Sequence, residues 1–491
     1  MNREAKKPLQ LYNTMSRQIE RFQSIDEARF ADAPSALVYT CGPTVYHYAH
    51  IGNLRTYVSE DLLLKTLRLA GYRVHHVMNI TDVGHLESDA DDGEDKMLKG
   101  AERENKTVWE VAEFYEKAFF DDCCALRITP PDVAERATAY IEKYIAFIEE
   151  LERKGHTYAA GGNIYFDIST FPRYTALNRV NLEELQTASR SDVSEDINKR
   201  NPQDFVLWFT KSKFDKQAMK WKSPRSLGDT EGYPGWHLEC SVIALENLGE
   251  QIDIHCGGVD HIMTHHTNEI AQTESYTEVT PWVRYWWHGE FLLDVTGKMS
   301  KSKGEFLTLS LLQQKGYHPL SYRYYLLGSH YRRQLEFSFA NLDMAQSGYF
   351  KLRRKVTELL RSAGGAEPTS ESAELRQEFD AFCACLFDDL NSANAMSVLY
   401  RVLKSDALPA EKLRVIARMD EVLSLDLMTP FDEEPGVDDE LSNKIQALVD
   451  ERSAAKQQKN WQKADEIRDR LTELGVILKD VPGGTEWSMR K

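Results

Sequence analysis

The sequence predicts an α/β protein built on a parallel sheet, interrupted by an insertion and followed by a helical C-terminal part. Three observations predict it. Two distant stretches, 36–80 and from 251 into a helix at about His265, each read as apolar strand, glycine-bearing turn and helix, the pattern of parallel strands joined by crossovers. Between them, residues 155–230 turn polar and loop-rich around a short strand at 163–167. From 341 to about 427 the pattern is amphipathic helix. At 491 residues the chain is too long for one core, so two to four domains are expected.

In chain order, Ala36-Leu37-Val38-Tyr39 is an apolar run that Gly42 and Pro43 break. His50-Ile51-Gly52-Asn53 follows, and then Leu54, Val58 and Leu62 recur every fourth residue as far as Gly71, a residue suited to a helix C-terminus. A strand, a tight turn and a helix form the layout in which helix N-terminal amides meet a phosphate, although an ordinary joint has the same pattern. A second strand is expected over 72–80, a loop over the acidic residues 89–95, and helices over 107–126 and 131–154, the latter with Pro131 in its first turn. The sheet resumes near Gly235, with a strand over 251–255 that ends in Cys256-Gly257-Gly258 and a helix from about His265. Helix is again expected over 322–329. The helical region from 341 is broken at 364–368 and at Pro409. Residues 430–437 read as an acidic, proline-bearing linker, and 441–474 as a highly charged helix before a short tail.

An apolar content of 42% with nine tryptophans fits a globular enzyme. The N-terminus lacks the apolar segment of a signal peptide and no run approaches membrane-spanning length, so a soluble, cytoplasmic protein is expected. Seven cysteines at irregular spacing argue against a disulfide framework and leave free thiols or metal ligands. The net charge of −17 speaks against a nucleic-acid partner only on average, because phosphate contact needs a local basic surface. Such runs occur at 211–225, 298–303, 330–333 and 351–355, each of which also reads as a solvated face.

His50-Ile51-Gly52-Asn53 and Lys298-Met299-Ser300-Lys301-Ser302, in this order, resemble the two signatures of class I aminoacyl-tRNA synthetases. Gly235-Trp236-His237-Leu238-Glu239-Cys240, the segment from His265 to Gln272, residues 322–332, and 459–469 with 476–480 narrow the resemblance to the cysteinyl-tRNA synthetase family, over nearly the whole chain. The resemblance implies a Rossmann-like catalytic domain in two halves, 1–126 and 231–295, around a connective insertion at 127–230. It further implies a signature-loop and stem-contact region at 296–340, a helical bundle at 341–430 and an anticodon-binding domain at 438–491. The implied activity is a cysteine–tRNA ligase, which activates L-cysteine with ATP and Mg2+ and transfers it to the 3′ end of cysteine tRNA. The chain is taken as a monomer with no membrane partner.

The same resemblance implies one zinc ion held by Cys41, Cys240, His265 and Glu269, joined by the substrate's own thiolate. From spacing alone each cysteine reads as buried structure, since the two stand 199 positions apart. His265 and Glu269, at i and i+4 on a helix, leave the same face, and all four donor types suit tetrahedral zinc. His266 is the competing ligand, ranked second, while His237, Cys256, His261 and the Cys123-Cys124 pair read as structural or supporting. Zinc favours a soft thiolate over the serine hydroxyl, so an editing domain is unnecessary, and 127–230 is too short and loop-rich to be one.

By resemblance, His50, Gly52 and Asn53 hold ATP phosphate at the helix start, and Lys298, Ser300 and Lys301 meet it from the second signature. Gly42, Thr81, Trp236 and Asp260 are the implied cysteine pocket. Trp461 would stack on an anticodon base, with Asp465 and Asp480 accepting from base edges. The chain departs from the family pattern at Asn53, usually histidine, at Gly84-His85, at Cys256 and at Lys456, usually arginine. Two rivals remain at this stage: a ligase with an amine acceptor such as an amino sugar, and a non-catalytic RNA-binding paralogue.

Overall fold

The computed structural model describes residues 8–26, 34–83, 106–180, 196–211, 219–294, 297–298, 307–365, 372–431, 445, 447–453, 455–456, 460–473, 476–481 and 484–489. The departure at Gly84-His85, the acidic stretch 89–95, Ser300 and Lys301 lie outside them. Residues Met1–Thr429 form one compact unit and Pro430–Lys491 another.

The first unit is organised by a five-stranded parallel sheet of β1 (Ser35–Thr40), β2 (Arg73–Ile80), β3 (Val133–Arg136), β4 (Ile252–Gly258) and β5 (Val283–Gly289), in the order β5-β4-β1-β2-β3. From β1 the chain first builds outward through β2 and β3, then returns to place β4 on the other side. The order reverses between β1 and β4, so the carboxyl ends of these two strands border the crevice where such sheets bind ligands. The sheet edge at β5 is covered by a hairpin, Gln10–Asn13 with Gln18–Arg21. There Asn13 Oδ1 accepts from Trp286 N at 3.1 Å and Asn13 Nδ2 donates to Arg284 O at 2.9 Å.

Helix α1 (Ile51–Ala70) ends at Gly71, whose φ of 102° a residue with a side chain adopts only under strain. It is buried on more than one face, because it carries Arg55 and Asp61 into contact with other segments as well as Leu54, Val58 and Leu62 into the core. Helix α2 (Val108–Ala125) falls within the span expected for it and starts at a Thr107–Glu110 capping box. The expectation of one helix over 131–154 needs correction. Val133–Arg136 is strand β3, paired in parallel with Val77–Ile80 of β2, then comes a short 3-10 turn at Ala137–Tyr140. Only Ile141–Lys154 is helix (α3), because hydrogen bonding to β2 outweighs the local helical pattern.

A second, antiparallel sheet takes in Thr157–Ala160, Asn163–Phe166, Phe205–Phe209, Glu231–Pro234 and Trp221–Lys222, in that order. The chain then re-enters the parallel core through α4 (His237–Leu248) and, after β4, α5 (His265–Thr277). After α6 (Pro319–Leu327) come the four bundle helices: α7 (Phe339–Ala363), α8 (Ala373–Leu386), α9 (Ser392–Lys404) and α10 (Pro409–Leu423). In the second unit Ile445, Leu448, Val449, Ile467, Leu471 and Val476 form a small core. Among the described residues no helix is long and apolar enough to cross a membrane.

Candidate active site and metal centre

The site lies at the reversal point of the sheet. Strand β1 ends at Thr40, so Cys41 and Gly42 follow at its carboxyl end, beside the end of β4, where Cys41 N–H donates to Cys256 O at 3.3 Å. A Cβ on Gly42 would stand 1.6 Å from Asn79 O, so only glycine lets β1 exit this close to β2.

His50 is the N-cap of α1. Its Nδ1 accepts from Asn53 N–H at 3.0 Å, while Asn53 Oδ1 accepts from His50 N–H at 3.3 Å, a reciprocal capping box. Asn53, where the family pattern has histidine, therefore closes the first turn itself. An accepting Nδ1 leaves the imidazole proton on Nε2. A Cβ on Gly52 would meet the His50 ring at 2.9 Å, which explains the glycine.

Described segments on both sides of the second signature lie near this helix start. Lys298 belongs to a two-residue strand paired with Leu293, and Leu292 Cβ is 3.8 Å from where a Gly52 Cβ would be. On the other side, Leu307 O accepts from Ile51 N–H at 2.8 Å and Thr308 bridges to His50. Segments that flank the second signature, about 250 residues further on in sequence, thus lie at this helix N-terminus, where amides and dipole favour an anion.

Cys41, Cys240, His265 and Glu269 converge so that one donor atom from each lies within 4.8 Å of the others, and all four residues are buried. Helices α4 and α5 bring Cys240, His265 and Glu269 up to the end of β1. The spacing suits a metal: two sulfurs about 2.3 Å from a tetrahedral ion stand about 3.8 Å apart, and Cys41 Sγ to Cys240 Sγ is 3.8 Å. Cys240 Sγ to His265 Nε2 is 3.4 Å. Glu269 Oε1 is buried without a hydrogen bond although His265 Nε2 is only 2.8 Å away, and an oxygen so placed suits a cation. Both cysteines are free thiols.

Ionisation within the cluster is uneven. Burial pushes the Cys41 thiol up, whereas for Cys240 burial is outweighed by the Cys41 and His265 contacts, which bring its thiol below the ordinary value. Burial likewise disfavours the Glu269 carboxylate, yet His255 and His265 hold its pKa at about 2. Burial lowers His266 and His288, and neighbouring imidazoles lower them further.

The sequence reading missed part of this centre. His255 Nε2 lies 2.7 Å from Glu269 Oε2, and Cys41, His255, His266 and Glu269 form a second donor set within the same 4.8 Å. His266 Nε2 is 3.4 Å from Cys41 Sγ, and its Nδ1 is 2.8 Å from His288 Nε2, whose Nδ1 is 2.8 Å from Thr14 Oγ1. His255 belongs to the strand expected over 251–255 and His288 to β5, for which the sequence raised no expectation, and no local signal marks either as part of the site. His237 Nδ1 lies 2.8 Å from His265 Nδ1, a partner that orients the ring. Cys256 is buried in an apolar cluster instead.

Among the implied cysteine-pocket residues, Trp236 is half-buried with its ring centroid 4.5 Å from that of His265, and Thr81 is buried beside Gly42-Pro43, with its N–H on Pro43 O at 3.0 Å. Asp260 is exposed in the short turn Val259–Ile262. In the second unit, Asp465 is exposed on the helix Trp461–Glu473, with an ion pair to Arg468 at 3.0 Å, and Asp480 is paired with Thr485 in a terminal hairpin. The side chains of Lys298, Trp461 and Asp480 lie outside the described part.

Residues 29–347 match the family model of the tRNA synthetases class I (C) catalytic domain, and 438–487 match that of the cysteinyl-tRNA ligase anticodon binding domain. The chain is 48% identical to the cysteine–tRNA ligase of Treponema denticola, over 98% of this chain and 99% of that one. It is 42% identical to the cysteine–tRNA ligase of Borreliella burgdorferi (97% and 99%). Among solved structures, the LeuRS–tRNA–LeuAMS complex of Agrobacterium radiobacter K84 superposes with a TM-score of 0.59 at 12% identity, covering 82% of this chain and 85% of that one. The methionyl-tRNA synthetase of Mycobacterium tuberculosis bound by methionyl-adenylate gives 0.54 at 16% identity (80% and 90%). At these identities the structural likeness is one of fold.

Proposed function

Because the chain belongs to the cysteinyl-tRNA synthetase family of class I enzymes, we propose that it activates L-cysteine with ATP and esterifies it to the 3′ end of cysteine tRNA. The observation that carries this reading is the placing of the Cys41–Cys240–His265–Glu269 donor set at the same sheet reversal as the His50–Asn53 helix start. A zinc ion held by those four residues would supply a ligand position for the substrate thiolate and so select cysteine over serine.

In the first step a carboxylate oxygen of cysteine attacks the α-phosphorus of ATP and pyrophosphate leaves. The α1 amides and the Nε2–H of His50 face the phosphates, and Lys298 and Lys301 neutralise charge as it builds on the leaving group. Thr81, Trp236 and Asp260 position the amino acid, Mg2+ accompanies ATP, and little covalent chemistry is asked of the protein. In the second step a terminal ribose hydroxyl of the tRNA attacks the adenylate carbonyl and AMP leaves. Trp461, Asp465 and Asp480 would read the anticodon.

An amine acceptor in place of tRNA is disfavoured by the match of residues 438–487 to the anticodon binding domain. The test is cysteine-dependent ATP–pyrophosphate exchange followed by charging of a cysteine tRNA transcript. Exchange with cysteine but not serine, together with charging, is expected. Exchange without any charging would transfer the reading to an amine acceptor.

A further inference from the structure

Beside the donor set lies a buried polar chain of which the mechanism above uses only Thr81. Glu239, adjacent in sequence to Cys240, is fully buried, as are Asn79 and Thr81 at the end of β2. Glu239 Oε2 accepts from Thr81 Oγ1 at 2.6 Å and from Asn79 Nδ2 at 3.4 Å. Asn79 Nδ2 also donates to Thr81 Oγ1 at 3.0 Å. At its other end, Asn79 Oδ1 accepts from Gly42 N–H at 2.8 Å and lies 3.7 Å from Cys240 Sγ. The chain therefore links the Thr81 hydroxyl to the residue after Cys41 and to Cys240 itself.

A hydroxyl has one proton and two acceptor lone pairs. The Thr81 proton goes to Glu239 at a length typical of hydroxyl–carboxylate bonds, and one lone pair receives Asn79 Nδ2–H. What Thr81 Oγ1 has left is acceptor capacity only. An oxygen fixed in this way recognises a donor such as an ammonium group and is unsuited to a carboxylate.

We propose that Glu239 is a positioning residue for amino-acid recognition: by holding the Thr81 proton it makes Thr81 an obligate acceptor for the substrate's ammonium group. The amine is thereby directed to the end of β2, and the carboxylate is left to face the phosphates at α1. This rests on the reading that Thr81 lines the cysteine pocket.

The test compares L-cysteine with 3-mercaptopropionate, which keeps the thiol and carboxylate and lacks the amine. Glu239→Met removes the acceptor at similar length, and Glu239→Gln keeps an acceptor oxygen. In Glu239→Met the KM for cysteine in exchange should rise about tenfold to a hundredfold, the scale for a hydrogen bond to a charged group. The Ki of 3-mercaptopropionate and the zinc content should stay within a few-fold of wild type. Glu239→Gln should restore most of the cysteine KM. In a Thr81→Val background, adding Glu239→Met should cost nothing more, since one acts through the other. Glu239→Asp, which draws the carboxylate back, should give the same split and replaces Glu239→Met if that variant loses its zinc or its fold. An equal rise in KM and Ki, additive costs, or an unchanged cysteine KM would overturn the assignment. A wild-type protein without cysteine-dependent exchange would overturn the functional reading beneath it, and the assignment would fall with it.

Discussion

Arg323 of α6 and Asp61 of α1 form a fully buried ion pair, Nη2 to Oδ2 at 2.6 Å. The guanidinium also donates to Leu423 O at 2.7 Å and Leu126 O at 2.9 Å, while Lys65 reaches the same Asp61 oxygen at 2.7 Å and Ser424 Oγ at 2.7 Å. One arginine thus ties the helix that opens at His50 to the end of α2 and to the bundle helix α10. Burial disfavours the Asp61 carboxylate, yet Arg323 and Lys65 hold its pKa below the ordinary value. Arg323→Ala is expected to cost about 3–5 kcal/mol, because it leaves a buried carboxylate short of its main partner and two carbonyls without donors. Replacing both residues, as Arg323→Met with Asp61→Leu, should cost less. Thermal unfolding of the three proteins measures this, and a single variant as stable as wild type would remove the pair from the architecture.

Two overlapping donor sets share Cys41 and Glu269, and metal content separates them. One zinc per chain is expected in purified protein. Cys240→Ser and His265→Ala should lose most of it, while His266→Ala, whose Nδ1 faces His288, should keep it. Loss in His266→Ala with retention in Cys240→Ser would assign the ion to the other set.

Lys301→Ala should reduce exchange by about a hundredfold to a thousandfold, the range for losing a group that stabilises developing charge. The effect should fall on kcat more than on KM, since the charge is needed most as pyrophosphate departs. Zinc content should not change. A rate within a few-fold of wild type would show that this lysine does not act on the phosphates.

Much of this site was readable from the residues, and what escaped did so for physical reasons. Helix α1 announced itself through Leu54, Val58, Leu62 and the Gly71 stop, all local signals. Strand β3 did not, because Val133–Arg136 becomes a strand only by pairing with Val77–Ile80, more than fifty residues earlier. His255 and His288 lie in apolar strands whose pattern indicates burial and not which strand ends meet. Cys41 and Cys240, too far apart for any local motif, were found by resemblance. Glu239 stood in a stretch quoted only for its resemblance and carried no local signal of its own, since its partners Thr81 and Asn79 come from β2 and the residue after it.

His76 gives the fold a dependence on acid. Its Nε2 is 2.9 Å from Thr40 Oγ1, its Nδ1 is buried without a partner, and burial lowers its pKa to about 4. In the unfolded chain the group titrates near its ordinary value of about 6.5. Between those values the unfolded state binds a proton that the folded state refuses, so stability is present at neutral pH and is lost as pH falls from about 6.5 towards 4. The full loss from this group is about 3 kcal/mol. His76→Gln should flatten the fall in melting temperature between pH 7 and 5. An equally steep fall in that variant would assign the acid sensitivity to other groups.

The second unit offers the clearest separation of the two reaction steps. Every residue proposed for adenylation lies between Cys41 and Lys301, whereas Trp461, Asp465 and Asp480 lie beyond Thr429, where the second compact unit begins. A protein ending at Thr429 should therefore keep cysteine-dependent exchange and lose most charging of cysteine tRNA. In the full chain, Trp461→Ala should weaken tRNA binding by about 1–3 kcal/mol, the scale for one base–aromatic stack, and leave exchange unaltered. Binding is to be compared at one stated salt concentration, because phosphate contacts weaken steeply as salt rises and would mask the loss of a stack. Undiminished charging by the shortened protein would take this unit out of RNA recognition and leave the helical bundle to hold the tRNA.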